Sequence, residues 1–135
     1  MHKLFVYGTL LERINPFNHL LEENSVGIFN AYTYGKMYSL GHYPAITTIG
    51  RTHNDKIYGR LYMFDDHQIL EEIDVYEGYD PNNIHCLYIR QEETVYTENG
   101  PVIAMAYVMD DVEHFTNTRI ESGNWLEWKR NHKNG

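Results

Sequence analysis

The sequence predicts an α+β domain built on a curled, largely antiparallel sheet with two or three helices beside it. Three observations carry that expectation. Five to seven short apolar or alternating runs read as strands, they do not alternate regularly with helical patterns, and an Asn-Gly pair joins two of the longest. Regular alternation would instead point to a parallel sheet with crossover helices. The 135 residues are expected to form one domain, 1–135. A chain of this length buries roughly two-thirds of its unfolded surface and needs no disulfide or metal to fold.

The elements follow in chain order. Leu4 to Tyr7 is continuously apolar or aromatic and stops at Gly8, as a buried strand does. Asn15-Pro16 marks a helix start, with Phe17, Leu20 and Leu21 at helical spacing on one face. Val26 to Leu40 is rich in Tyr and broken by Gly27 and Gly35, giving two short strands or one bent one. Tyr43 to Ile49 is another short strand, its Pro44 suiting an edge or a strand start. Lys56 to Phe64 alternates, with Ile57, Gly59, Leu61 and Met63 on one face and Tyr58, Arg60, Tyr62 and Phe64 on the other.

The clearest helix comes next. Asp65 or Asp66 caps it, Ile69, Leu70, Ile73 and Tyr76 recur at helical spacing, and Gly78 stops it. Beyond Pro81, Cys86 to Glu98 reads as a long strand, and Pro101 to Met109 as its partner. Asn99-Gly100 between them suits a hairpin turn with positive φ at both central residues. The tail from Ile120 to Trp125 ends in a short helical turn.

Composition excludes several classes of function. The net charge is −8, from 19 acids against 11 Lys and Arg, and nucleic-acid binding requires the opposite balance. No segment approaches the roughly 20 apolar residues of a membrane span, and the apolar run at the N-terminus is too short for a signal peptide. The lone Cys86 leaves no internal disulfide framework and points to a reducing, cytoplasmic setting, with Cys86 as a small buried strand residue. The eight histidines, at 2, 19, 42, 53, 67, 85, 114 and 132, form no close pair, so no metal site is expected.

Spacing singles out one acid. Glu77 lies eight, seven and four residues after Ile69, Leu70 and Ile73, which puts it on the buried face of its helix. Burial and the negative end of the helix dipole both raise the pKa of such a carboxylate, as proton-transfer catalysis requires. The plainer reading is a solvated Glu in a stretch of seven acids, Asp65 to Asp80, that has no Lys or Arg. Glu71, Glu72 and Asp74 read as a solvated surface, although Asp74, three residues before Glu77, is also placed to share its surroundings.

Tyr7-Gly8-Thr9-Leu10 follows the first strand. There a glycine lets the chain turn sharply and a ligand approach closely, and successive N–H groups can hold an anion or an oxyanion. The same four residues also suit an ordinary strand-to-loop turn. Twelve tyrosines exceed what the core readily uses, so some line a pocket while most sit in strands with their hydroxyls at the surface. Arg90 shares a strand face with Tyr88 and has three readings: balancing Glu77, meeting a substrate carboxylate, or making a structural ion pair.

Together these pieces resemble the gamma-glutamylcyclotransferase-like family, which includes gamma-glutamylamine cyclotransferases. Phe5-Val6-Tyr7-Gly8-Thr9-Leu10 resembles the family's Y-G-[ST]-L loop, and Tyr43-Pro44-Ala45 its Tyr-Pro segment, followed by the strand Tyr58-Gly59-Arg60-Leu61-Tyr62. Ile73-Asp74-Val75-Tyr76-Glu77-Gly78-Tyr79 is similar to L-D-x-x-E-G, Tyr88-Ile89-Arg90 to Y-x-R, and Ser122-Gly123-Asn124-Trp125 to S-G-D-W. The motifs run in order from residue 4 to about 128, with Asn124 in place of the usual Asp.

The resemblance implies a small β-barrel-like domain with flanking helices, no cofactor and a small-molecule γ-glutamyl substrate. The implied reaction releases 5-oxoproline and a free amine. It makes Glu77 the general acid/base and the Tyr7–Leu10 loop the holder of the glutamyl end. Tyr43 and Arg90 join Tyr7, Gly8, Thr9 and Leu10 as candidate substrate-binding residues. The leaving group stays open among amino acids, lysine-linked amines, peptide thiols and antibiotic precursors. The competing expectation is a non-catalytic domain that binds a small molecule in the same pocket.

Overall fold

A computed structural model of the chain describes residues 1–80, 82–83 and 86–132; Pro81 and His85 of the sequence reading lie outside these. Seven strands and three helices appear among the described residues: β1 (His2–Val6), α1 (Pro16–Asn24), β2 (Gly27–Tyr34), β3 (Lys36–Ser39), β4 (Pro44–Thr47), β5 (Lys56–Phe64), α2 (His67–Glu77), β6 (Ile89–Thr97), β7 (Gly100–Val108) and α3 (Trp125–His132). Five strands close into a barrel in the order β1-β5-β2-β6-β7, while β3 and β4 pair separately. All barrel pairings are antiparallel except the closing one, where Leu4 of β1 meets Met105 of β7 in parallel. The barrel, expected from the resemblance, is the curled sheet of the pattern reading brought to closure.

Closure explains why β1 is apolar without alternation: both of its faces are covered. Phe5 packs in the barrel interior with Ile57, Leu61, Val95, Ala104, Ala106 and Val108, residues drawn from several strands. Leu4 and Val6 face the other way, against Leu21 of α1 and Ile69, Leu70 and Ile73 of α2. The same outer layer buries Tyr62 and Phe64, whereas Tyr58 and Arg60, earlier on the same face of β5, remain exposed. A face with two environments along its length reads as mixed in sequence.

Local chemistry sets the helix ends. Asn15 caps α1 by accepting the Phe17 N–H at 2.9 Å, and Asp66 caps α2 by accepting the Gln68 N–H at 3.0 Å. Gly78, left-handed at φ 75°, ends α2. The expected turn at the tail is an eight-residue helix, α3, that plugs the structure with the fully buried Trp125. Asn124 caps it, its Oδ1 accepting the Glu127 N–H at 3.1 Å. Asn and Asp cap equally well, so the departure from the family's Asp costs this helix nothing.

Two expectations need correction. Asn99 and Gly100 are not the central pair of the hairpin. Thr97 pairs with Gly100, so Glu98 and Asn99 form the tip, and among the described residues only glycines have positive φ. The Thr97 hydroxyl accepts the Asn99 N–H at 3.1 Å and donates to the Gly100 carbonyl at 3.0 Å, which secures the tip without a mirror-image turn. Cys86 is half-buried but precedes the strand, since β6 begins at Ile89. No helix among the described residues is long and apolar enough to cross a membrane.

Candidate active site

A cavity of about 650 Å³ opens where the end of β1, the end of α2 and the entry to β4 meet. Tyr7, Gly8, Thr9, Leu10, Tyr43 and Glu77 all line it, although the chain separates the first from the last by seventy residues. Pro44, Tyr76, Tyr88 and Tyr107 complete much of the wall. No Lys or Arg is among the described residues that line it.

Glu77 is the last residue of α2, and its side chain is half-buried. Burial raises its pKa from the ordinary 4.5 to about 7, with the charge of Asp74 as the second cause. Among the described residues no hydrogen bond or ion pair engages its carboxylate. A carboxyl raised in this way in a cleft is a candidate for proton transfer. The acidic stretch divides by face, with one correction. Glu71 and Glu72 are exposed as expected, whereas Asp74, read with them as a solvated residue, is partly covered like Glu77 because Arg90 and Tyr107 take up its carboxylate.

Opposite lies the loop after β1, where Thr9–Leu11 form one turn of 3-10 helix. Side chains hold its carbonyls: Asn15 Nδ2 donates to the Thr9 oxygen at 3.1 Å and the buried Asn18 Nδ2 to the Leu10 oxygen at 3.0 Å. The Thr9 and Tyr76 hydroxyls lie 2.9 Å apart, and Asn15 Nδ2 also donates to Tyr76 at 3.0 Å. Tyr76, the neighbour of Glu77, thereby connects helix and loop. The N–H groups of Gly8, Thr9 and Leu10 have no acceptor among the described residues, which leaves donors for an anion or a polarised carbonyl.

Two candidate residues bond to other parts of the protein. The Tyr7 hydroxyl is buried and donates to the Tyr107 carbonyl at 2.6 Å, so it anchors the loop from within. Arg90 is not among the described lining residues and does not balance Glu77. Its Nη1 donates to Asp74 Oδ2 at 2.5 Å, the structural ion pair of the three readings. Gly8 allows a close approach, but by protein: a Cβ there would stand 2.8 Å from Pro44 Cγ. This contact seats the Tyr43-Pro44 segment, and Tyr88 braces it by donating to the Pro44 carbonyl at 2.9 Å. Asn15 and Tyr76 were read only as parts of helices, and Asn18 and Tyr107 were not singled out, so the place of all four at the site was missed. Only Tyr76 had a signal, its place beside Glu77.

Among the described residues no group of three or more His, Cys, Asp or Glu side chains converges as metal ligands would. Fold and cavity thus define a class: a small closed barrel with flanking helices, and a half-buried acid that lines the same cavity as the loop after β1. Residues 4–127 match the family described as Gamma-glutamyl cyclotransferase, AIG2-like, and the chain belongs to that family. A protein of Halalkalibacterium halodurans provisionally named a gamma-glutamylcyclotransferase is 36% identical over 103 residues, 76% of this chain and 87% of the relative. The crystal structure of YkqA from Bacillus subtilis superposes with a TM-score of 0.71 at 28% identity. It covers 99% of this chain, which spans only 43% of YkqA. An AIG2-like protein from Mus musculus shares the fold at a TM-score of 0.54 and 20% identity, covering 81% of this chain and 77% of its own.

Proposed function

We propose that the protein is a cofactor-independent γ-glutamyl cyclotransferase that releases 5-oxoproline and a free amine from a γ-glutamyl amine or amide. The observation that carries this reading is that Glu77, its carboxyl pushed up to about 7 by burial, lines the same cavity as the Gly8–Leu10 loop. The α-amino nitrogen of the glutamyl group attacks its own γ-carbonyl carbon, forming the ring C–N bond. The bond from that carbon to the leaving nitrogen then breaks. Glu77 accepts the proton lost by the attacking nitrogen and delivers it to the departing amine, so the carboxylate is regenerated.

Tethering removes the need to bring two molecules together, and the site has only to favour the ring-closing conformer. The loop N–H groups hold the glutamyl end and the oxygen on which charge develops. No redox step or activated cofactor is called for. The test is to incubate the protein with a panel of γ-glutamyl amines and peptides and to quantify 5-oxoproline. Turnover is expected, with a loss of about 10²–10⁴-fold in Glu77→Gln, the range for removing a general acid/base. Substrates recovered intact after prolonged incubation would leave a binding protein instead, and undiminished activity in Glu77→Gln would remove Glu77 from the reaction.

A further inference from the structure

Glu77 can hand a proton between two nitrogens of a bound substrate only if it stays in register with the loop that holds that substrate. Its own carboxylate has no described partner to fix it, so the register must come from elsewhere. One residue on the barrel wall touches both sides. The Tyr107 hydroxyl, from β7, donates to Asp74 Oδ1 at 2.5 Å, one helical turn before Glu77. The Tyr107 backbone carbonyl accepts the Tyr7 hydroxyl at 2.6 Å, immediately before Gly8.

The helix end is tied at Asp74 in further ways. Its other carboxylate oxygen takes Arg90 Nη1 at 2.5 Å, and its backbone carbonyl takes the Tyr79 N–H at 2.8 Å. The Arg90 guanidinium lies 5.4 Å from the centre of the Tyr79 ring. With side chains only 15% and 20% exposed, the Asp74–Arg90 pair is shielded from the screening that weakens surface pairs. Charge-assisted bonds of this kind hold geometry better than neutral ones.

We propose, on the reading of Glu77 as the proton carrier, that Tyr107 and Asp74 are positioning residues. They pin the end of α2 and the start of the Gly8–Leu10 loop to one point of the barrel wall and so fix the separation of acid and substrate-holding backbone. Asp74 has a second effect through its charge. The groups facing Glu77 from neighbouring elements are the phenols of Tyr7, Tyr88 and Tyr107, and burial keeps these neutral at working pH. His42, Tyr43, Tyr76 and Cys86 also line the cavity, and Arg90 is drawn onto Asp74. Asp74 is thus the acidic neighbour whose charge bears on when Glu77 ionises.

Tyr107→Phe isolates the tie, because it keeps the ring and the carbonyl that accepts Tyr7. Expected are a kcat for 5-oxoproline release lowered about 10- to 100-fold with KM within about twofold. Amide hydrogen exchange at Tyr76–Gly78 should quicken by about tenfold or more, while barrel amides such as Leu61 keep their protection. Asp74→Asn is the second variant. Carbon-13 NMR titration of Glu77 should move to lower pH, and the acidic limb of the pH–rate profile should move with it. Unchanged exchange and kcat in Tyr107→Phe, or an unmoved Glu77 titration in Asp74→Asn, would overturn the assignment. A wild-type protein inert towards every γ-glutamyl compound would defeat the functional reading alone, since exchange and titration still decide the tie.

Discussion

Replacing Glu77 by Gln is expected to stabilise the protein above pH 7 and to leave its stability nearly unchanged near pH 4. Burial and Asp74 move the carboxyl from 4.5 to about 7, and the unfolded chain has neither influence. Between those two values the folded protein retains a proton that the unfolded chain has released, so stability drains away as pH rises through the window. Above about pH 7 the folded state carries the full cost of a half-buried charge. A displacement of about 2.5 on the pH scale, at 1.36 kcal/mol for each unit, corresponds to about 3 kcal/mol. The open cavity makes this an upper bound. Gln has nearly the same volume and never ionises, so it removes the cost. For a chain of this size the bound corresponds to roughly 10 °C in Tm. Scanning calorimetry of both proteins from pH 4 to 9 provides the assay, and contributions common to the two proteins cancel in the difference. The Tm gap should open between about pH 4.5 and 7 and then stay constant. Parallel curves, or a gap that widens towards acid, would refute the reasoning.

Two further substitutions probe the glycines around this framework. Gly8→Ala places a Cβ 2.8 Å from Pro44 Cγ and 3.1 Å from its Cδ. A loss of about 1–3 kcal/mol by denaturant titration is expected and, on the proposed function, weaker 5-oxoproline binding by calorimetry as the Tyr43-Pro44 wall shifts. Gly123→Ala meets backbone, with a Cβ 1.8 Å from the Lys56 carbonyl oxygen, in a conformation that side chains rarely adopt. More than about 3 kcal/mol of destabilisation should follow, and a wild-type denaturation midpoint would contradict the packing.

Sequence patterns reached different depths in different parts of the molecule. Strand β5 was expected over Lys56 to Phe64 and occupies those residues, and α2 ends at Gly78 as its capping chemistry requires. Glu77 was separable from its acidic neighbours because helical periodicity is local and repeats within a few residues. The loop and the Tyr-Pro segment were recognised as ordered motifs, and they do meet Glu77 at one cavity. What stayed hidden was the choice of partner at long range. Arg90 had three readings, and only the fold, which brings it within reach of Asp74, assigns its partner. The Tyr7 hydroxyl finds a carbonyl one hundred residues away, and the Trp125 indole finds Glu12 from one hundred and thirteen. Nothing in the spacing of a tyrosine says whether its hydroxyl meets solvent, ligand or main chain.

The parallel pairing that closes the barrel also sets the order in which the molecule can assemble. Strand β1 is flanked by β5 and β7, whose residues begin fifty-four and ninety-eight positions after its own start. Such distant pairings are slow to form, because the chain loses loop entropy before the contacts repay it. Until β7 arrives, β1 and β7 present open strand edges, which are templates for association with other chains. Tyr107 arrives on that last strand, and its two bonds join helix and loop. On the reading of the protein as a cyclotransferase, recovery of 5-oxoproline release during refolding should therefore track barrel closure rather than the appearance of helix.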